Sequence, residues 1–140
     1  MVHPLSNLAK KLKKCGEECL PLLEAMKAIR IDINYELGKF SSSSKSEAAF
    51  RKLEHKVEKG KLRLETLLTK IEMHLVRVDT LRDAVLAYSA ASIKEQEFMG
   101  DILRWCSELQ GELTNWADQI ETVLEEVDGI LAEIVLEVKS

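Results

Sequence analysis

From Phe50 to Tyr88, apolar residues return at alternating steps of three and four, a period that makes one continuous face only on an α-helix. With Phe50 as position a of a heptad, the a positions are Phe50, Val57, Leu64, Ile71, Val78 and Val85, and the d positions are Leu53, Gly60, Leu67, His74, Leu81 and Tyr88. Only Gly60 and His74 depart from apolar or aromatic character, so the stretch reads as one core-facing helix. Its flanks are sorted by charge. Lys56, Arg63, Lys70 and Arg77 fall at g, while Glu58, Glu65, Glu72 and Asp79 fall at b. The outward c and f positions from Leu62 to Thr80 are Leu62, Thr66, Thr69, Met73, Val76 and Thr80, with no charge among them. A helix back that meets only water is normally charged.

The segments on either side carry the same period. The first opens at Pro4, with Ser6 or Asn7 as caps, and its seam runs Leu5, Leu8, Leu12, Cys15, Cys19, Leu22, Met26, Ile29, Ile33. Pro21 sits inside that seam without an amide hydrogen, and its ring crowds the carbonyl of Glu17, so a kink is expected there. Helix one is placed at about residues 5–39. The run Ser41 to Ser44 marks a turn, and Ser44 with Glu47 forms a capping-box pattern, which places helix two at about 45–88. Gly60 would either break this helix or admit another element closely, and the unbroken charge sorting favours continuity. Ser92 with Glu95 is a second capping-box pattern, placing helix three at about 93–138, with Gly100 as the competing boundary. Its seam is Ile102, Cys106, Leu109, Leu113, Trp116, Ile120, Val123, Val127, Ile130 and Ile134, none of them polar. No glycine cap follows Val138, which reads as a helix that a longer chain would continue.

Two prolines and six glycines in 140 residues, with no alternation at period two, make the expected class all-α. The expected architecture is a single domain spanning 1–140, an elongated antiparallel bundle of three long helices running up, down, up. A break at Pro21 or Gly60 would make it four. At 1.5 Å per residue such helices measure roughly 55–65 Å.

Charge narrows the function classes. The net charge of −4 divides as +2 over residues 1–40, +2 over 41–97 and −8 over 98–140. So acidic a third segment argues against nucleic acid as a partner and suggests that helix three docks along the basic edge of helix two. No stretch has the roughly 18 uncharged residues of a membrane span, and three cysteines behind a lysine-rich start point to reduced thiols in the cytoplasm. Lys10, Lys11, Lys13 and Lys14 read first as a solvated helix back. They could also rest on anionic lipid, with Leu5, Leu8 and Leu12 turned to the bilayer.

No phosphate loop, nucleophile elbow, zinc knuckle or calcium loop occurs, so the chain reads as a non-enzyme without a cofactor. The up-down-up register brings Cys15, Cys19, His74 and Cys106 near one level. A zinc ion or thiol pair could use them. The plainer account makes the cysteines small core residues and His74 a core-edge histidine, because closed zinc sites usually draw two ligands from a tight loop. No metal ligand is assigned on this ground. The uncharged back of helix two is the stronger signal: Leu62, Thr69, Met73 and Val76 suit docking of a partner helix, and Trp105, one step off its seam, is a second candidate.

The segment Ile71 to Leu81, ending Val78, Asp79, Thr80, Leu81, resembles the second helix of BAG domains, three-helix regulators of Hsp70-type chaperones. That resemblance would imply a chaperone partner met by arginine and lysine of the following helix, where this chain is acidic, and the family is not adopted. Spectrin-like repeats share only the bundle outline. The reading taken is an interaction or scaffold module that binds a helical protein partner; the alternative is a peripheral membrane-binding bundle that forms a homodimer.

Overall fold

The computed structural model describes residues 3–41 and 46–139, without the side chains at 40, 41 and 137–139. Three α-helices account for almost all of them: α1 Pro4–Ser41, α2 Glu47–Leu86 and α3 Ile93–Lys139. No strand occurs among the described residues. The chain is all-α, with three helices rather than four.

Each helix begins where side-chain chemistry can satisfy its first amides. Pro4 opens α1 at the position where its missing N–H costs nothing. The cap is His3, not Ser6 or Asn7: its carbonyl accepts from Asn7 N–H at 3.0 Å, and its Nδ1 accepts from Leu5 N–H at 3.1 Å. Sequence reasoning passed over it because histidine is not among the usual capping residues. For α2 the expected cap, Ser44, lies outside the described residues. The helix starts at Glu47, and Ser46 Oγ accepts from Ala49 N–H at 3.1 Å. At α3 the expected cap is in place: Ser92 Oγ accepts from Glu95 N–H at 3.2 Å, and Gly100 lies inside the helix.

Pro21 and Gly60 do not divide their helices. The pyrrolidine of Pro21 is exposed, so its ring makes no demand on the core. Gly60 is buried, and a Cβ built there would stand 3.0 Å from both Cδ1 and Cγ1 of Ile33 on α1. Close approach of a neighbouring helix, rather than a break, explains that glycine.

The residues form two compact units, one of Met1–Leu22 with Lys70–Ala117 and the other of Leu23–Thr69 with Asp118–Ser140. In the first unit the core contains Leu5, Leu12, Cys15 and Cys19 of α1, Ile71, Val78 and Val85 of α2, and Ile102, Cys106 and Leu113 of α3. In the second it contains Met26, Ile29 and Ile33, then Phe50, Leu53, Val57, Leu64 and Leu67, then Ile120, Val123, Val127 and Ile134. Every a position of the α2 heptad is buried. Trp116, placed on the α3 seam, is half-buried, and its neighbour Ala117 takes the buried place.

Ion pairs set direction and correct one expectation. In the second unit Lys56 meets Glu36 at 3.0 Å and Arg63 faces Asp32 at 3.6 Å; in the first, Arg77 meets Glu18 at 2.7 Å. Pairing of Glu36 with Lys56 and of Asp32 with Arg63 in the second unit, and of His3 with Tyr88 and of Glu18 with Arg77 in the first, makes α2 antiparallel to α1 in each, with Lys56, Arg63 and Arg77 of the g row turned to α1. The acidic third helix does not lie along that row. It meets the opposite flank, through Lys61 to Asp128 at 2.6 Å in the second unit, and through Gln110 in the first. Gln110 accepts from Arg82 at 3.3 Å and donates to Asp79 at 3.1 Å. Segment charge misled here because a net count does not say which face a charge occupies. Asp32, Glu36 and Glu18 stand on the flank of α1 that faces α2, whereas Glu112, Glu121, Glu125 and Glu126 are exposed.

Candidate functional site

The uncharged row of α2 faces solvent. In the second unit Leu62 is 64% exposed and Thr66 and Thr69 are exposed; in the first unit Met73 is 62% and Val76 65% exposed. The threonines sharpen the row's character. Thr66 Oγ1 donates to Leu62 O at 2.9 Å, Thr69 Oγ1 to Glu65 O at 3.1 Å and Thr80 Oγ1 to Val76 O at 2.9 Å. Each hydroxyl is turned back into its own helix, which lowers its demand for water. On one side of the row Glu58, Glu65 and Glu72 are exposed, and Glu65 meets Lys61 of its own helix at 4.0 Å. On the other side Lys56, Arg63 and Arg77 of the g row are already engaged with α1.

Trp105 is not part of that row. It is 41% exposed and borders a groove of about 510 Å³ between α1 and α3, with Ala9, Leu12 and Gly16 as the small apolar floor, Lys10 and Lys13 on one edge and Glu108 and Glu112 on the other. A second groove, of about 420 Å³, runs between α1 and α2, where Lys11, Lys14 and Glu18 face Val76, Arg77 and Thr80, and Cys15 lies at its wall. Sequence reasoning missed a further exposed apolar pair in the second unit, Ile31 and Tyr35, one turn apart on α1. The available signal was that both stand two residues past a seam position, where a core helix is normally polar.

Lys10, Lys11, Lys13 and Lys14 are all exposed. Leu5 and Leu12, however, are buried in the core, and Leu8 is half-buried. These leucines therefore cannot turn to a bilayer, which corrects that expectation. No helix among the described residues is long and apolar enough to cross a membrane.

The thiol and imidazole layer resolves into three residues of the first unit. Cys15 and Cys19 stand one turn apart on α1, His74 reaches them from α2, and their donor atoms all lie within 4.8 Å of one another. Cys15 Sγ and His74 Nδ1 are 3.4 Å apart. Cys106 of α3 is buried but is not among them. All three cysteines are free. Burial disfavours their charged forms: it raises the Cys15 and Cys106 thiols, pushes Cys19 up to about 12 with its neighbour Cys15 adding to the effect, and lowers His74. Burial thus disfavours charge on both partners of the Cys15–His74 contact.

A fourth feature closes one end of the first unit. Glu95 Oε1 accepts from Tyr88 Oη at 2.9 Å and from His3 Nε2 at 2.7 Å, and its other oxygen accepts from Ala91 N–H. These bonds, led by the Ala91 amide, hold the carboxyl down at about 2. Because His3 Nδ1 accepts from Leu5, the neutral ring carries its proton on Nε2, the nitrogen that meets Glu95. The three side chains tie the starts of α1 and α3 to the end of α2.

Fold and site together define an all-α helical-bundle protein with an uncharged, solvent-facing helix row. No family model, curated protein or solved structure matches the chain.

Proposed function

We propose that the chain is a non-enzymatic protein–protein interaction or scaffold module of the cytoplasm, and that it takes an amphipathic helix of another protein on the uncharged row of α2. The carrying observation is that row itself: Leu62, Met73 and Val76 are held in water beside threonines whose hydroxyls bond to their own helix. Such a surface gains by being covered, at about 25 cal/mol per Å² of apolar area removed from water. Charge selects the occupant. With Lys56, Arg63 and Arg77 of the basic flank engaged by α1, the exposed glutamates at 58, 65 and 72 favour a partner helix whose apolar stripe is bordered by Lys or Arg on that side. The free thiols suit a reducing compartment.

The test is the double variant Met73→Glu, Val76→Glu. Both positions are exposed, so each change should alter folding stability by no more than about 0.5 kcal/mol, while capture of the partner recovered by the unaltered chain should be lost. Unfolding of the variant, or unchanged capture by a folded one, would contradict the assignment.

A further inference from the structure

We propose that Cys15, Cys19 and His74 form a binding site for a thiophilic divalent cation of the zinc class, with three protein ligands and a fourth position left to water or an outside donor. The argument begins with spacing. Residues four apart on a helix share a face, so α1 presents two sulfur donors to one point, and His74 of α2 supplies a nitrogen to the same point. Two ligands on one tetrahedral zinc, with bonds of about 2.3 Å to sulfur and about 2.0 Å to nitrogen, stand roughly 3.5 Å apart. Cys15 Sγ and His74 Nδ1 are 3.4 Å apart, so this edge is already at bonding separation, and all three donor atoms lie within 4.8 Å of one another. Simple core filling asks for no such convergence. Cys106 shows the contrast, being equally buried yet outside the cluster.

Donor type selects the cation. Two sulfurs and an imidazole suit zinc and its thiophilic relatives, whereas magnesium and calcium take oxygen. Charge balance favours a dication. On binding, two S–H bonds break, the two protons leave to water and two metal–sulfur bonds form with no change of oxidation state. The resulting centre of two thiolates, one neutral imidazole and M²⁺ carries no net charge, which suits a buried place. Access is available because Cys15 lies at the wall of the α1–α2 groove. Glu18, beside Cys19, is held by Arg77 at 2.7 Å, which leaves the fourth position to a donor from that groove.

The experiment uses the whole chain, reduced and stripped of metal, titrated with Co²⁺ and then Zn²⁺. Expected are one Co²⁺ per chain with a sulfur-to-cobalt charge-transfer band, displacement by Zn²⁺, and a rise in the thermal midpoint with Zn²⁺. Cys106→Ser should keep all three; Cys19→Ser and His74→Gln should lose them. Helicity is followed in each variant, and His74→Gln, at a half-buried position, supplies the decisive reading should Cys19→Ser fail to fold. A folded wild-type chain without the band, a band that survives His74→Gln, or binding of Cu⁺ without Co²⁺ would overturn the proposal.

Discussion

Leu64→Ala should lower the unfolding free energy by about 2–5 kcal/mol, while Leu62→Ala, two residues away on the same helix, should change it by no more than about 0.5 kcal/mol. The two leucines are chemically identical and differ only in where the 3.6-residue period points them. Leu64 is at heptad position a and wholly buried in the core of the second unit, whereas Leu62 is at position f and mostly in water. Truncating the buried one removes the transfer free energy of three carbons and leaves a cavity that a helical core refills only partly. Removing the same carbons from Leu62 uncovers nothing. Urea unfolding monitored by circular dichroism measures both. Equal losses at the two positions would mean that the row on the back of α2 is covered within this chain.

Gly60→Leu should cost about 2 kcal/mol despite adding a better helix former. A glycine inside a helix forgoes roughly 1 kcal/mol relative to alanine, so its presence at a core position needs a steric reason. Ile33 provides one: its Cδ1 and Cγ1 occupy the space 3.0 Å from where a Cβ would stand. Leucine would drive three further carbons into that volume, and overpacking of a close-packed core costs about 1–3 kcal/mol. Truncating the neighbour should reverse the sign of the effect. With Ile33→Ala in the background, Gly60→Leu should become neutral or stabilising, a coupling that a double-mutant cycle reads directly. Additive effects of the two changes would show that Ile33 does not set the requirement for glycine.

The helices and their buried faces were legible because one periodicity carried them. Fourteen of the fifteen buried residues described in α1 and α3, all but Ala117, are seam residues in steps of three and four, and all six a positions of α2 are buried. What escaped the sequence needed knowledge of which flank meets which neighbour. The row Lys56, Arg63, Arg77 was visible as a row, yet only the packed structure shows it paired with Glu36, Asp32 and Glu18 instead of the acidic third helix. Helix starts divided in the same way. Ser92 with Glu95 followed a local rule and was found, whereas His3 caps α1 through an imidazole that is also tied to Glu95, 92 residues on. The thiols were suggestive because Cys15 and Cys19 share a helical face, but the exclusion of Cys106 is settled by a difference of position across helices that spacing alone does not contain. Among the candidate docking residues, Leu62, Thr69, Met73 and Val76 were readable as an uncharged row. The separation of Trp105 into a groove with α1 was not.

The claim on which the functional reading turns is that the α2 row of the isolated chain lies open to water, and methionine oxidation tests it without any partner. Met73 is 62% exposed and Met26 is buried in the core of the second unit. Dilute peroxide converts an accessible thioether to the sulfoxide and spares a packed one. Peptide mass spectrometry over a time course should find Met73 oxidised well ahead of Met26, at rates independent of protein concentration. Protection of Met73 equal to that of Met26, at every concentration, would show the row to be covered within the chain itself and would contradict its assignment as a docking face.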